Sequence, residues 1–207
     1  GALLLWQAWD RFWVLAGAFS GFLLVAPILS TGLYAVSRAL LRGERASFAT
    51  VWQVWASLDA RLVRFGLLLT ALGTGWVVTS AALITLGLQP PATTPDDFLR
   101  RVVLATDPGL FELWLVVGGA MAAPVFASSV VAIPLLVDRQ VGVQQAILTS
   151  WRAVAANPVC MSLWAFLVML LTLVGLGTCL LGLMIVIPVL GHATWHAYRD
   201  LVVREAV

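Results

Sequence analysis

Two imidazoles, His192 and His196, stand in the run Gly191-His192-Ala193-Thr194-Trp195-His196-Ala197-Tyr198-Arg199-Asp200, and they are the only histidines of the chain. Four residues apart on a helix, they share a face, a spacing that could hold one small ion such as zinc or copper. Two nitrogens are too few for a structural zinc site. Asp200, four residues past His196, could add a carboxylate and still leave the set one ligand short. The pair cannot clamp a haem either, because axial ligands approach the porphyrin from opposite sides. The expectation is that both imidazoles hydrogen-bond to neighbouring helices or headgroups near the cytoplasmic end of the last span, with no catalytic metal and no cofactor.

Other residues could carry charge chemistry. Asp59 falls within an otherwise apolar helical arc, so it either ends that helix early or pairs with an Arg of another segment; an ion pair is the reading adopted. Arg38, Arg42 and Arg45 cluster just after an apolar run, as a topology determinant or an anionic-lipid site. With Trp52, Trp55, Tyr198 and Arg199 they are the candidate contacts to lipid or to a partner. The ten Trp residues fall mostly at span ends, as in an aromatic belt. Cys160 and Cys179 lie in apolar runs and read as small buried hydrophobes, not a bridge. Nothing resembles a phosphate-cradling loop, a His-Glu-x-x-His site or a nucleophile elbow. The chain reads as a non-enzyme.

The elements that must position these residues follow from composition. Hydrophobic residues make up 61% of the 207 residues and charged residues only 11%, with a mean hydropathy of +0.99. A soluble domain carries about 25% charged residues, so too little charge is present to cover a soluble surface. This is the composition of an integral membrane protein, and it excludes a cytosolic enzyme, a nucleic-acid binder and a disulfide-stapled secreted domain.

A span needs about 20 apolar residues. Five segments satisfy this or nearly so, at about 12–37, 65–88, 110–137, 159–176 and 180–198. The last two arise from an uncharged stretch, Val159 to Tyr198, that is about twice too long for one crossing. It must fold back, and Gly175, Gly177, Thr178 and Gly182 mark the place. All basic residues are Arg. Arg38, Arg42, Arg45, Arg61, Arg64, Arg139, Arg152, Arg199 and Arg204 fall on one side of this plan, and only Arg11, Arg100 and Arg101 on the other. The Arg-rich side is expected to be cytoplasmic, C-terminus included. The opening Gly-Ala-Leu-Leu-Leu suggests the end of an earlier helix, which would make six spans in the full protein.

Connecting segments look helical as well. From Ser47 to Arg64, Phe48, Val51, Trp52, Trp55, Leu58 and Leu62 share one side, as in a helix lying among the headgroups. Val143 to Asn157 repeats the pattern more weakly, and Asn157-Pro158 then caps and opens the next span. Thr94-Pro95-Asp96-Asp97 starts a short helix to about Leu104. Pro27, Pro134 and Pro188 recur in a hydrophobic-Pro-x-Leu core and are expected to break their helices. After Pro27 and Pro188 an aromatic follows at seven residues (Tyr34, Trp195) and an Arg at eleven (Arg38, Arg199). Duplication of one unit and the ordinary tolerance of Pro in membrane bundles account for this equally well.

Three motifs carry a resemblance. The first is Pro27-x-Leu-x-x-Gly-Leu-Tyr34-x-x-Ser37-Arg38 with Arg42-Gly43-Glu44. The second joins Pro134-Leu-Leu-x-Asp138-Arg139 to Ser150-Trp151-Arg152 and Asn157-Pro158. The third is Leu181-Gly182-Leu183 followed by Pro188-x-Leu-Gly191-His192-Ala-Thr-Trp195-His196-Ala-Tyr198-Arg199-Asp200. Together they resemble the bacterial integral membrane family known as domain of unknown function 2189. The resemblance implies a multi-span inner-membrane protein, and some members carry a cytochrome c oxidase subunit label. A haem–copper catalytic subunit needs several His ligands, more than the two present, so that label implies an accessory role.

The expected architecture is therefore an all-α polytopic bundle with interfacial amphipathic helices. The expected role is a non-catalytic subunit or assembly factor of a respiratory or photosynthetic membrane complex, partnered by lipids and other membrane subunits and not by nucleic acid. A small-molecule or lipid permease is the first alternative; it would need a polar cavity near Pro27, Pro134 and Pro188, and no charge is expected at mid-span. A metal or haem protein using His192 and His196 is the second.

Overall fold

The computed structural model describes residues 30–57, 59–88, 95–105, 109–178 and 181–202, and among these every regular element is helical. Helix α1 is described over 30–41. It closes on Gly43, whose φ of 71° lets the Gly43 and Glu44 amides turn back onto the Leu40 and Ala39 carbonyls at 3.1 and 2.9 Å. Those two bonds form a Schellman end, for which glycine is suited because it carries no Cβ.

Helix α2, Phe48–Ala56, follows from a capping box at Ser47 and Thr50. It is shorter than the sequence suggests. The chain turns at residue 57 and restarts as α3, Ala60–Gly87, so the second span begins five residues earlier than expected. The physical reason is Asp59: its Oδ1 accepts the Arg61 amide at 2.8 Å, the bond an N-cap makes, and an N-cap starts a helix. The short helix α4, Pro95–Phe98, passes into a π-helical turn over Leu99–Val103, and the Arg100 guanidinium pairs with Asp96 at 2.9 Å.

Helix α5, Leu110–Ser129, is opened by Glu112, which accepts the Gly109 amide at 2.6 Å. Its 20 residues already reach about 30 Å, one bilayer core. The chain breaks at 130–131 and continues as α6, Ala132–Asp138, so the third expected span is two helices. Helix α7, Val143–Ala156, leads through Pro158 at the first helical position into α8, Pro158–Gly177. The Asn157 amide does not cap α8; it donates back to the Ala153 carbonyl at 3.2 Å. Helix α9, Leu183–Val202, completes the fold-back at the expected glycines. Gly175 and Gly182 allow it, since a Cβ on Gly175 would lie 2.5 Å from Leu183 and one on Gly182 3.0 Å from the Gly175 backbone.

Five spans were expected. Three helical stretches are long and apolar enough to cross a membrane among the described residues: Ala60–Gly87, Leu110–Asp138 and Pro158–Gly177. The first expected span lies mostly outside the described residues, as does Pro27. The fifth falls short because the second half of α9 carries His192, Thr194, His196, Arg199 and Asp200. Nor do the other expected prolines act alike. Pro134 is the third residue of α6, where no intrahelical donor is required, and it stands just past the break. Pro188 lies inside α9, which runs on without interruption, as α5 does through Pro124.

The described residues divide into two units, one within 66–125 and the other within 30–65 and 126–202. In the first, Trp114 is the centre: its ring lies 5.5 Å from those of Trp76 and Phe98, and its indole N–H donates to Ser80 at 2.7 Å. Gly118 makes room for the Trp76 ring. These two tryptophans hold helices together and are not free belt residues. The second unit has the deeper core, with Tyr34, Phe65, Val131, Ala132, Leu136, Trp195 and Tyr198 all buried.

Close approach in that core sets a test. A Cβ on Gly191 would come within 2.5 Å of Leu33 on α1. Gly191→Val is expected to cost about 1–3 kcal/mol by overpacking, seen as a lower melting temperature by circular dichroism in detergent. Gly119→Ala, with open space around the added carbon, is expected to stay within about 0.5 kcal/mol. Equal melting temperatures for the two variants would contradict this packing.

Candidate functional site

Leu135 and Leu136 of α6 are buried and its last residues, Val137 and Asp138, half-buried, yet a helix leaves its last four carbonyls without intrahelical donors. Two arginines from distant segments supply the missing donors. Arg38, near the end of α1, donates Nη1–H to the Val137 carbonyl at 2.8 Å. Arg61, at the start of α3, donates Nη2–H to Leu136 at 3.2 Å and Nη1–H to Arg139 and Val141 at 3.0 and 2.9 Å. Each guanidinium also meets the negative end of the α6 dipole. A planar fork of five donors suits several carbonyls at once, as a lysine could not.

Asp59 orients this fork. Its carboxylate accepts the Arg61 Nε–H at 3.1 Å and the Nη2–H at 2.5 Å, so the carboxylate that caps α3 also aims a side chain of that helix's first turn. The Arg partner of Asp59 is thus two residues away, and the helix also ends before it. The Arg61 hydrogen bond holds the Asp59 carboxyl below the usual aspartate range, outweighing the opposite effect of partial burial.

From α9, Tyr198 donates its hydroxyl proton to Asp138 Oδ2 at 2.8 Å. One turn earlier its neighbour Trp195 is fully buried and stacks on Tyr34 with centroids 6.1 Å apart. Tyr34 and Trp195 are the matched aromatics of the Pro27 and Pro188 motifs, so the two similar segments meet each other. His192 Nδ1 lies 2.6 Å from the Ser37 hydroxyl. On α7, the Ser150 hydroxyl accepts the Val131 amide at 3.1 Å, exposed by the break between α5 and α6. Trp151 donates to Ser128 at 2.9 Å.

Several expected site residues move as a result. Arg38 and Tyr198 are not free for lipid or a partner: Arg38 is spent on a carbonyl, and Tyr198 is 1% exposed. Trp55 is half-buried against Gly32, with its indole nitrogen 3.0 Å from where a Cβ would sit. Arg42, Arg45 and Trp52 are exposed, and Arg199 is half-buried. His192 faces Ser37 while His196 faces out, so the two imidazoles have different surroundings. Among the described residues no group of three or more His, Cys, Asp or Glu comes together to hold a metal. Cys160 is exposed, against expectation, because it lies on the outer face of α8; Cys179 is outside the described residues. The sequence reading missed Arg61 and Ser150 as key residues. Arg61 two residues beyond a helix-breaking Asp was the available signal for the first, and only the tertiary contact reveals the second.

What this arrangement does chemically is close helix ends. Asp59 is committed to the helix it caps and the other polar side chains named at the node to a different segment, and none of them lines the hollow described next. The hollow lined by Thr149, Arg152, Ala153, Ala156, Leu201 and Val202, of about 250 Å³, lies elsewhere, between α7 and the end of α9.

Asp59→Ala is expected to cost about 1–2 kcal/mol through the lost cap, with Asp59→Asn milder because Asn also caps. The pH dependence has a definite sign. With the folded carboxyl lowered, its contribution is complete above an unfolded value of about 3.9 and is lost as pH falls through the lower folded value. Acid melting curves should therefore be shallower for Asp59→Asn than for the parent. Tyr198→Phe removes the donor to Asp138 and is expected to cost about 1–3 kcal/mol; an unchanged melting temperature would deny the bond a structural role.

Comparison with known proteins bears on the same region. No curated protein and no solved structure matches. A family profile does match, over residues 14–138, more than half of the chain, ending at the Asp138 of the node. The Gly191–Asp200 motif lies beyond the matched range. The chain belongs to the family described as "Predicted integral membrane protein (DUF2189)".

Proposed function

We propose that the protein is a non-catalytic subunit or assembly factor of an energy-transducing complex in the bacterial inner membrane. The observation that carries this reading is the commitment of the node: Arg38, Arg61, Asp59, Tyr198, Asp138 and Ser150 all serve helix ends. A protein whose buried polar groups hold its own helices together offers rigidity and an outer apolar surface, not a reaction centre. That surface is large, since only 6% and 11% of the apolar windows of α3 and α8 are buried within the protein. The permease reading needs a polar cavity near Pro27, Pro134 and Pro188; Pro27 lies outside the described residues, and the hollow described above is lined by neither Pro134 nor Pro188.

The proposed topology is multi-pass, five spans in this chain with the C-terminus cytoplasmic. Contacts at the node support it: the end of α1, the start of α3, the end of α6 and the last turns of α9 touch one another, so these four points share one membrane face. That face carries the Arg-rich segments.

Blue-native electrophoresis in mild detergent, followed by mass spectrometry of the band, tests the role. The expected result is a stable, stoichiometric assembly with a respiratory or photosynthetic complex. A monodisperse monomer that moves a solute across proteoliposomes would favour the permease instead. Reporter fusions after residues 45, 95 and 207 test the topology; a periplasmic signal at 45 or 207 would sink it.

A further inference from the structure

The basic face around the node contains arginines of two kinds. Arg38 and Arg61 point inward onto carbonyls. Arg42, Arg45 and Arg152 point outward and form no ion pair among the described residues. Arg64 and Arg139 are exposed too, with Glu44 and Asp200 the exposed acids of this face among the described residues.

Beside these charges stand large apolar side chains that stay exposed among the described residues. Phe48 and Trp52, one turn apart on α2, are 73% and 59% exposed. Leu148 and Trp151 on α7 are 50% and 45% exposed. Both helices are anchored on their other sides. Val51 and Trp55 of α2 sit against Gly32 of α1, and Ser150 of α7 is bonded to the start of α6. Because α2 follows the end of α1 and α7 follows the end of α6, and Arg38 ties those two ends together, both helices emerge at one level of the protein.

We propose that α2 and α7 form a platform that binds anionic phospholipid headgroups of the membrane in which the protein sits. Phe48, Trp52 and Trp151 enter the boundary between headgroup and acyl chain, where amphipathic aromatic rings are favoured. Arg42, Arg45 and Arg152 then lie at phosphate height, each able to receive a phosphate bidentately. The exposed aromatics select a lipid surface over a free anion, and the unpaired guanidinium groups select negative headgroups over zwitterionic ones.

Spin-labelled lipids test this on the isolated full chain reconstituted in phosphatidylcholine. Spin-labelled phosphatidylglycerol is expected to associate with the protein several-fold more strongly than spin-labelled phosphatidylcholine. The preference should fall in about 1 M salt, where the screening length is about 3 Å. At about five-fold per Arg at most, the triple variant Arg42→Gln/Arg45→Gln/Arg152→Gln should lose most of the preference, and the matching triple Lys variant should keep most of it. Arg100→Gln, in the π-helical turn after α4 and already paired with Asp96, should leave it unchanged. Circular dichroism melting of each variant shows that it remains folded. A parent protein without preference, or a triple Gln variant that is folded and keeps it, overturns the proposal. So does a patch whose substitution releases a bound protein and leaves lipid association as it was.

Discussion

A helix whose end is half-buried leaves its last carbonyls poorly reached by water, and in this molecule α6 is that helix. Its carbonyls at Leu136 and Val137 are met by guanidinium groups from α3 and α1, and its final carboxylate by a tyrosine of α9. An unsatisfied carbonyl there would cost about 1–3 kcal/mol. The helices that bring donors are therefore fixed in position by one short element of seven residues. The rest of the second unit is arranged around this closure: α7 folds back over the break before α6, and α9 lays Trp195 on Tyr34.

The node also explains why α6 exists as a separate helix. Helix α5 is long enough to cross a bilayer core by Ser129, so an apolar continuation must turn. The break at 130–131 frees the Val131 amide, and Ser150 accepts from it. Small residues do the matching steric work. Gly32 admits Trp55 and Gly191 admits Leu33, which lets α2 and α9 approach α1 closely, as small residues do in membrane bundles. Trp55 and Trp195 pay part of the cost, since their buried indole N–H groups meet no acceptor among the described residues.

Polar residues in an apolar chain are often read as function first. In this protein most of them complete backbone hydrogen bonding where helices end or break. Arg38, Arg61, Tyr198 and Ser150 each look like candidate chemistry in isolation, and each is bound to a defined partner. Arg42, Arg45 and Arg152, which face outward, have no such task among the described residues.

Membrane class, all-helical character, the fold-back at Gly175–Gly182 and the helix start at Pro158 were legible in the sequence, because each depends on local composition or on backbone rules that hold within a few residues. Leu110–Ser129 and Pro158–Gly177 are apolar enough to be read from length alone. Other features depended on contacts between residues far apart in the chain: which Arg faces inward, that Tyr198 is buried on Asp138, that α5 and α6 part at 130–131, and that α9 runs through Pro188. Hydropathy cannot separate Arg38 from Arg42, four residues apart on one helix end. The difference is that the Val137 carbonyl, 99 positions away, lies within reach of only one of them, and that is a property of the packed helices.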